Sequence, residues 1–155
     1  MNRVVDLHGC ILPAVLGPQG PQTMAESVKM IKSLAEQGIT DIFSTPDVIV
    51  SMDMNTWDEM ETTLNDVKLA VSEQQVDVTI HSGARVLLCD EMVEYIVAHR
   101  NQYLLGNSHF MLVALPANSK VHHINAWLLS LLDMGIVPII SEVETHRQLF
   151  TKPEQ

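Results

Sequence analysis

The chain lacks the marks of several large protein classes. It has two cysteines in 155 residues, Cys10 and Cys89, and neither belongs to a CxxC pair. A reduced, cytoplasmic setting is therefore the expectation. Basic residues are scarce: 9 Lys and Arg stand against 19 Asp and Glu, for a formal net charge of −10. Nucleic acid and anionic membrane surfaces both need clustered Lys and Arg, so neither is an expected partner. No apolar run approaches the ~20 residues of a membrane span, and no charged stretch followed by an apolar one marks a signal peptide. Internal repeats, low-complexity tracts and clear linkers are also missing. What remains is an ordinary globular composition, 46% hydrophobic and 18% charged. It suits a single domain, residues 1–155, able to bury a real core.

Apolar periodicity alternates along the chain. Residues 3–7 predict a buried strand. Residues 24–37 place Met24, Val28, Ile31, Leu34 and Ala35 on one helical face. Thr23 and Glu26 form a capping-box signature ahead of that face, and Gly38 suits the C′ position. Further strands are predicted over 39–45, 76–80, 109–115 and 136–141. Helices are predicted over 55–74 (stripe Trp57, Met60, Leu64, Val67, Val71), 90–98 and 121–134. Met24, Met30, Met60, Met134, Leu128, Leu131 and Leu132 read as core. The Gly/Pro stretch 16–22 reads as a loop. Strand alternating with helix indicates βαβ units, a parallel sheet and right-handed crossovers.

In such folds function gathers at the carboxyl ends of the strands. Here those ends carry polar groups: Asp6-His8-Cys10, Thr45-Pro46-Asp47, His81-Ser82-Gly83-Ala84-Arg85 and Ser141-Glu142. The first of them, "VVDLHGCILP", stops a short strand on three potential metal ligands or acid/base groups. His122 and His123 are adjacent on a predicted helix and point apart, so they make no paired metal site. With His81, His109 and His146 they read as surface or strand-end residues.

"VVDLHGCILPAV", "TMAESVKMIKSLAEQGITDIFSTP" and "LLSLLDMGIVPIISEVETHR" together resemble the PHP-type (polymerase and histidinol phosphatase) metallophosphoesterases. The nearest branch is the manganese-dependent tyrosine-protein phosphatases of bacterial capsule and exopolysaccharide operons. The resemblance runs over nearly the whole chain. It implies an α/β fold: a PHP-like (β/α) barrel, incomplete, with about five parallel strands and flanking helices. Such a sheet stays open or is completed by oligomerisation, because barrel closure couples strand number to tilt and shear. Family chains continue for roughly a further hundred residues, about the length of a small domain.

The family's metal ligands are mostly replaced. Its paired histidines correspond to His8 and Cys10, and its Asp-Asp-Gly loop to Val15-Leu16-Gly17. Its Thr-Pro-His-His corresponds to Thr45-Pro46-Asp47-Val48 and its Gly-x-Glu to Gly83-Ala84-Arg85. Its fourth-strand Glu becomes Ala114, and its His-Pro-Glu-Arg becomes Glu142-Val143-Glu144-Thr145.

Each remaining candidate has a functional and a structural reading. Asp6 and His8 keep family positions, either as metal ligand with its support or as relics hydrogen-bonded at a strand end. Cys10 is either a soft-metal thiolate or a small apolar residue in a turn; no Arg follows closely to make a cysteine-phosphatase loop. Arg85 stands where the resemblance implies a metal-bridging glutamate. A guanidinium cannot deprotonate and repels divalent cations. It can instead form an internal ion pair with Asp6, Asp47 and Glu142, bind an anion, or turn to solvent.

The reading adopted is a degenerate, non-catalytic relative of the tyrosine-protein phosphatases. It would bind a protein or a phosphorylated or anionic ligand at the strand rim, with no cofactor. A homodimer or protein partner would cover an exposed sheet edge. The alternative is an active metal-dependent phosphoesterase with a remodelled site of His8, Cys10, Asp47 and Glu142 around Mn or Mg, or a fragment of one.

Overall fold

The computed structural model describes residues 3–15, 20–50 and 54–146. Its elements run β1 (Val5–Gly9), α1 (Met24–Glu36), β2 (Asp41–Ser44), β3 (Asp47–Val48), α2 (Met54–Glu73), β4 (Thr79–Ser82), β5 (Arg85–Leu87), α3 (Asp90–Tyr103), β6 (Phe110–Ala114), α4 (Val121–Asp133) and β7 (Val137–Ile140). A single 3-10 turn, Val143–Thr145, follows.

Every strand pairing is parallel. The ladders form two sheets, β1-β2-β4 and β3-β5-β6-β7. Two of the five predicted strands, 39–45 and 76–80, are each followed after a short break by a further strand that was not predicted, β3 and β5. The second breaks at Thr45-Pro46, where proline has no N–H to give the ladder. The third breaks at Gly83-Ala84. The Arg85 N–H donating to the Pro46 carbonyl (3.0 Å) carries the pairing from one sheet into the other. Read through these breaks, the strands lie side by side in chain order, as in a singly wound (β/α) fold.

Local chemistry explains the elements. Thr23 Oγ1 accepts from the Glu26 N–H at 3.2 Å. The Glu26 carboxylate reaches back to the Gln22 N–H (2.6 Å), one residue earlier than a standard capping box. Gly38 ends α1 at φ +93°, where a Cβ would be strained. Gly9 serves a different need, since a Cβ there would sit 2.5 Å from Ile42 Cγ2 and 2.8 Å from the Phe43 carbonyl oxygen. Only glycine lets β1 lie this close to β2.

The core has two centres. One gathers Ile11, Val28, Ile31, Ile42, Val67 and Val71 beneath the first sheet. The other gathers Val86, Met92, Met111, Val113, Trp127 and Leu131 around the second. The predicted α2 stripe is buried at Trp57, Leu64, Val67 and Val71.

Several expectations are corrected. The strand predicted over 76–80 runs 79–82, and the short helix over 90–98 continues to Tyr103 through a kink at His99. Met30 and Leu132, expected in the core, are exposed. Both sit on outer helix faces that no neighbouring element covers among the described residues. His146, expected at the surface, is buried. Most of the loop expected over 16–22 (residues 16–19) lies outside the described residues. No helix among the described residues is long and apolar enough to cross a membrane.

Candidate functional site

The carboxyl ends of β1, β2, β4 and β7 bring the candidate residues together. At the first, β1 bulges between Asp6 and Gly9. The Asp6 carboxylate accepts the His8 N–H at 2.9 Å, folding the strand end back on itself. His8 Nδ1 lies 3.1 Å from Thr45 Oγ1. Thr45 is fully buried, and its hydroxyl donates to the Leu7 carbonyl at 3.4 Å. A hydroxyl has one proton to give, so the His8 Nδ1–H is the donor to Thr45. Its Nε2 takes no part in this contact.

Arg85 begins β5 beside Asp47 of β3. Its Nη1 donates to Asp47 Oδ1 (2.9 Å), its Nη2 to Glu142 Oε2 (2.5 Å) and its Nε to Ser141 Oγ (2.9 Å). Ser141 Oγ in turn donates to the Val113 carbonyl at 3.0 Å. The guanidinium therefore links the second, third, fourth and fifth strand runs. Its side chain is 16% exposed, against 49% for Asp47 and 52% for Glu142. Glu142 sits at φ 51°, a left-handed conformation unusual for a residue with a Cβ. That backbone strain accompanies a side chain turned onto Arg85. Asp6 is not among the guanidinium's partners, which corrects the expected four-residue ion pair: its carboxylate is taken by the His8 backbone instead.

Cys10 lies at the centre of this field. Burial raises its thiol pKa, Asp47 raises it further, Arg85 lowers it, and Asp6 and Glu142 raise it. The net shift is upward, so Cys10 is a protonated thiol at neutral pH. That does not suit a nucleophile.

The family resemblance implies manganese here, and the donor set does not fit it. Asp47 and Glu142 are engaged by a fixed cation that a divalent ion would have to displace. Among the described residues no three His, Cys, Asp or Glu side chains group closely enough to hold a metal ion. That includes His8, Cys10, Asp47 and Glu142, the set expected for a remodelled centre.

Two residues placed on the rim by the sequence had no role assigned to them there. Thr45 and Ser141 fasten His8 and Arg85; their only signal was that both are polar residues ending apolar strands. A second polar cluster lies at the opposite, amino end of the strands. Asp41, 2% exposed, accepts from Arg3, from Thr40 Oγ1 (2.8 Å) and from His81 Nε2 (2.9 Å). Hydrogen bonds from Arg3, then His81 and Thr40, hold its carboxyl well below the usual carboxylate range. His81 also stacks on Phe43, with ring centroids 4.6 Å apart. Though expected on the carboxyl rim, it serves this other end, because its side chain turns back along β2. His122 and His123 are exposed on α4, outside both clusters.

Comparison with known proteins is consistent across sequence and structure. The chain is 25% identical over 148 residues to the CapC protein of Staphylococcus aureus, covering 94% of this chain and 56% of that protein. It is 22% identical over 150 residues to the tyrosine-protein phosphatase YwqE of Bacillus subtilis, covering 97% and 58%. It is 24% identical over 152 residues to the tyrosine-protein phosphatase CpsB of Streptococcus agalactiae, covering 98% and 61%. It thus spans somewhat over half the length of these relatives. Its fold matches the crystal structures of YwqE from Bacillus subtilis and CpsB from Streptococcus pneumoniae, described as unique metal-dependent tyrosine phosphatases. The TM-score is 0.81 at 23% identity, over 97% of this chain and 60% of that one. The family model for capsular polysaccharide synthesis proteins CpsB/CapC matches residues 4–155, and the chain belongs to that family.

Proposed function

We propose that this chain is a non-hydrolytic member of the CpsB/CapC family, acting by binding a protein rather than by turning over a phosphoester. The observation that carries the reading is the Arg85 guanidinium, held by Asp47, Glu142 and Ser141 at the strand rim. A fixed cation there supplies charge compensation without a metal, and it supplies no Lewis acid and no bound hydroxide. Phosphate is a poor ligand for this rim. Asp6, Asp47 and Glu142 outnumber the one guanidinium, and its donors already face carboxylates. Protein binding draws support from the sheet edges. β1 and β7 each pair on one side alone among the described residues, and Val5 and Val137 are exposed along them. Unpaired edges invite another chain, either a second copy or a different protein.

The names of the relatives favour a second reading, an active metal-dependent tyrosine phosphatase in which Arg85 swings out and His8, Cys10, Asp47 and Glu142 take Mn or Mg. Elemental analysis of the purified chain, with p-nitrophenyl phosphate turnover in added Mn²⁺, separates the two. The proposal expects substoichiometric metal and no turnover that depends on His8. Stoichiometric metal, with turnover abolished in His8→Ala, would establish the second reading in its place.

A further inference from the structure

The two strand breaks leave a small cavity between the sheets and α2, with Ser44, Pro46, Gly83, Trp57 and Leu64 in its walls. Its free space is ≈ 10 Å³, room for about one water and no larger ligand. Two of these lining residues, which also include the exposed Glu61, carry a buried polar atom with no protein partner: Ser44 Oγ and Trp57 Nε1. Ser44 is 1% exposed and Trp57 5%. Buried polar groups in native proteins are nearly always hydrogen-bonded, and ordered water is the usual partner when protein is not.

We propose that one structural water occupies this cavity and bridges Trp57 to Ser44. The indole N–H can only donate, and water accepts from it. The Ser44 hydroxyl can donate or accept, so it completes the bridge in either sense. The position explains the need. Pro46 contributes no N–H where the strand changes sheets. Ser44 directly precedes Thr45, the partner of His8, and Asp47, the partner of Arg85, lies three residues on. The water thus fastens the first turns of α2 to the base of the rim.

The test uses the full chain labelled with ¹⁵N. The two tryptophans give one indole resonance each, and Trp127 is an internal reference because its Nε1–H donates directly to Asp90 (2.6 Å). The expected result is a cross-peak between the Trp57 indole proton and a long-lived water, absent or much weaker for Trp127. In denaturant melts of Ser44→Ala, Trp57→Phe and the double variant, the double should lose less than the sum of the singles. A Trp57 indole with no water cross-peak would overturn the proposal, whether the cavity is dry or the two side chains bond directly. Strictly additive losses would overturn it as well.

Discussion

At the scale of single residues, one substitution changes the chemistry of the rim. Arg85 is a permanent charge in a position flanked by Asp47 and Glu142, and both carboxylates turn to it. Both acids are about half exposed, so the network stabilises modestly, as solvent-screened ion pairs do. Arg85→Ala is expected to cost about 1 kcal/mol and to leave two carboxylates facing each other unpaired. Millimolar Mn²⁺ should then raise the melting temperature of the variant more than that of the parent; equal shifts in a thermal melt would count against the cation-replacement reading. Cys10 reports on the same field. Its thiol is held up chiefly by burial, and Arg85 opposes the shift. Iodoacetamide should therefore modify Cys10 more slowly than a free thiol at neutral pH, with the rate still rising at alkaline pH where that of an ordinary thiol has levelled off. In Arg85→Ala the rate at a given pH should fall further, since the one group favouring thiolate is gone. Mass spectrometry of the modified peptide measures both.

At the scale of elements, the amino and carboxyl ends of the strands do different work. The Asp41 cluster ties Arg3, ahead of β1, to β2 and β4. Its carboxyl pKa lies below the unfolded value, so the stability it contributes is present above the ordinary Asp range, near pH 4. That contribution is lost as pH falls through the folded value. Asp41→Asn should accordingly lower stability at pH 7, and the difference from the parent should shrink as pH drops below 4. Urea midpoints measured from pH 7 to pH 3 test this; a gap that widens on acidification would refute it. The carboxyl ends carry the strain instead, in the bulge of β1, the breaks at Thr45-Pro46 and Gly83-Ala84, and Glu142 in the left-handed region. These departures from regular strand geometry turn Thr45 to His8 and Glu142 to Arg85.

At the scale of the whole molecule, strands in chain order leave β1 and β7 as the two outer edges. Leu129 and Leu132 on α4 and Val137 on β7 are exposed together on the last helix–strand unit. Exposed apolar groups beside an unpaired strand edge invite association. Light scattering is expected to give a mass above that of one chain. The melting temperature should rise with protein concentration, as it does when folding is linked to association. Leu132→Glu should reduce both effects. A strictly monomeric parent with a concentration-independent melt would refute self-association through this surface.

The order of strands and helices, the parallel pairing and the family were legible in the chain itself. Apolar periodicity of 2 or 3.6 residues, the Thr23 cap and the Gly38 stop are local signals that tertiary context did not override. The resemblance also drew attention to Cys10, Asp47, Arg85 and Glu142, as residues that differ from the family's ligand motifs. What those residues touch was not legible there. Whether Arg85 faces solvent, an anion or carboxylates depends on strands brought together from 38 and 57 residues away, and no local pattern encodes that approach. The strand breaks, the Asp41 cluster and the turning of His81 away from the rim arise in the same way. Each follows from where backbone hydrogen bonds can no longer be made between neighbours, a condition set by the sheet as a whole.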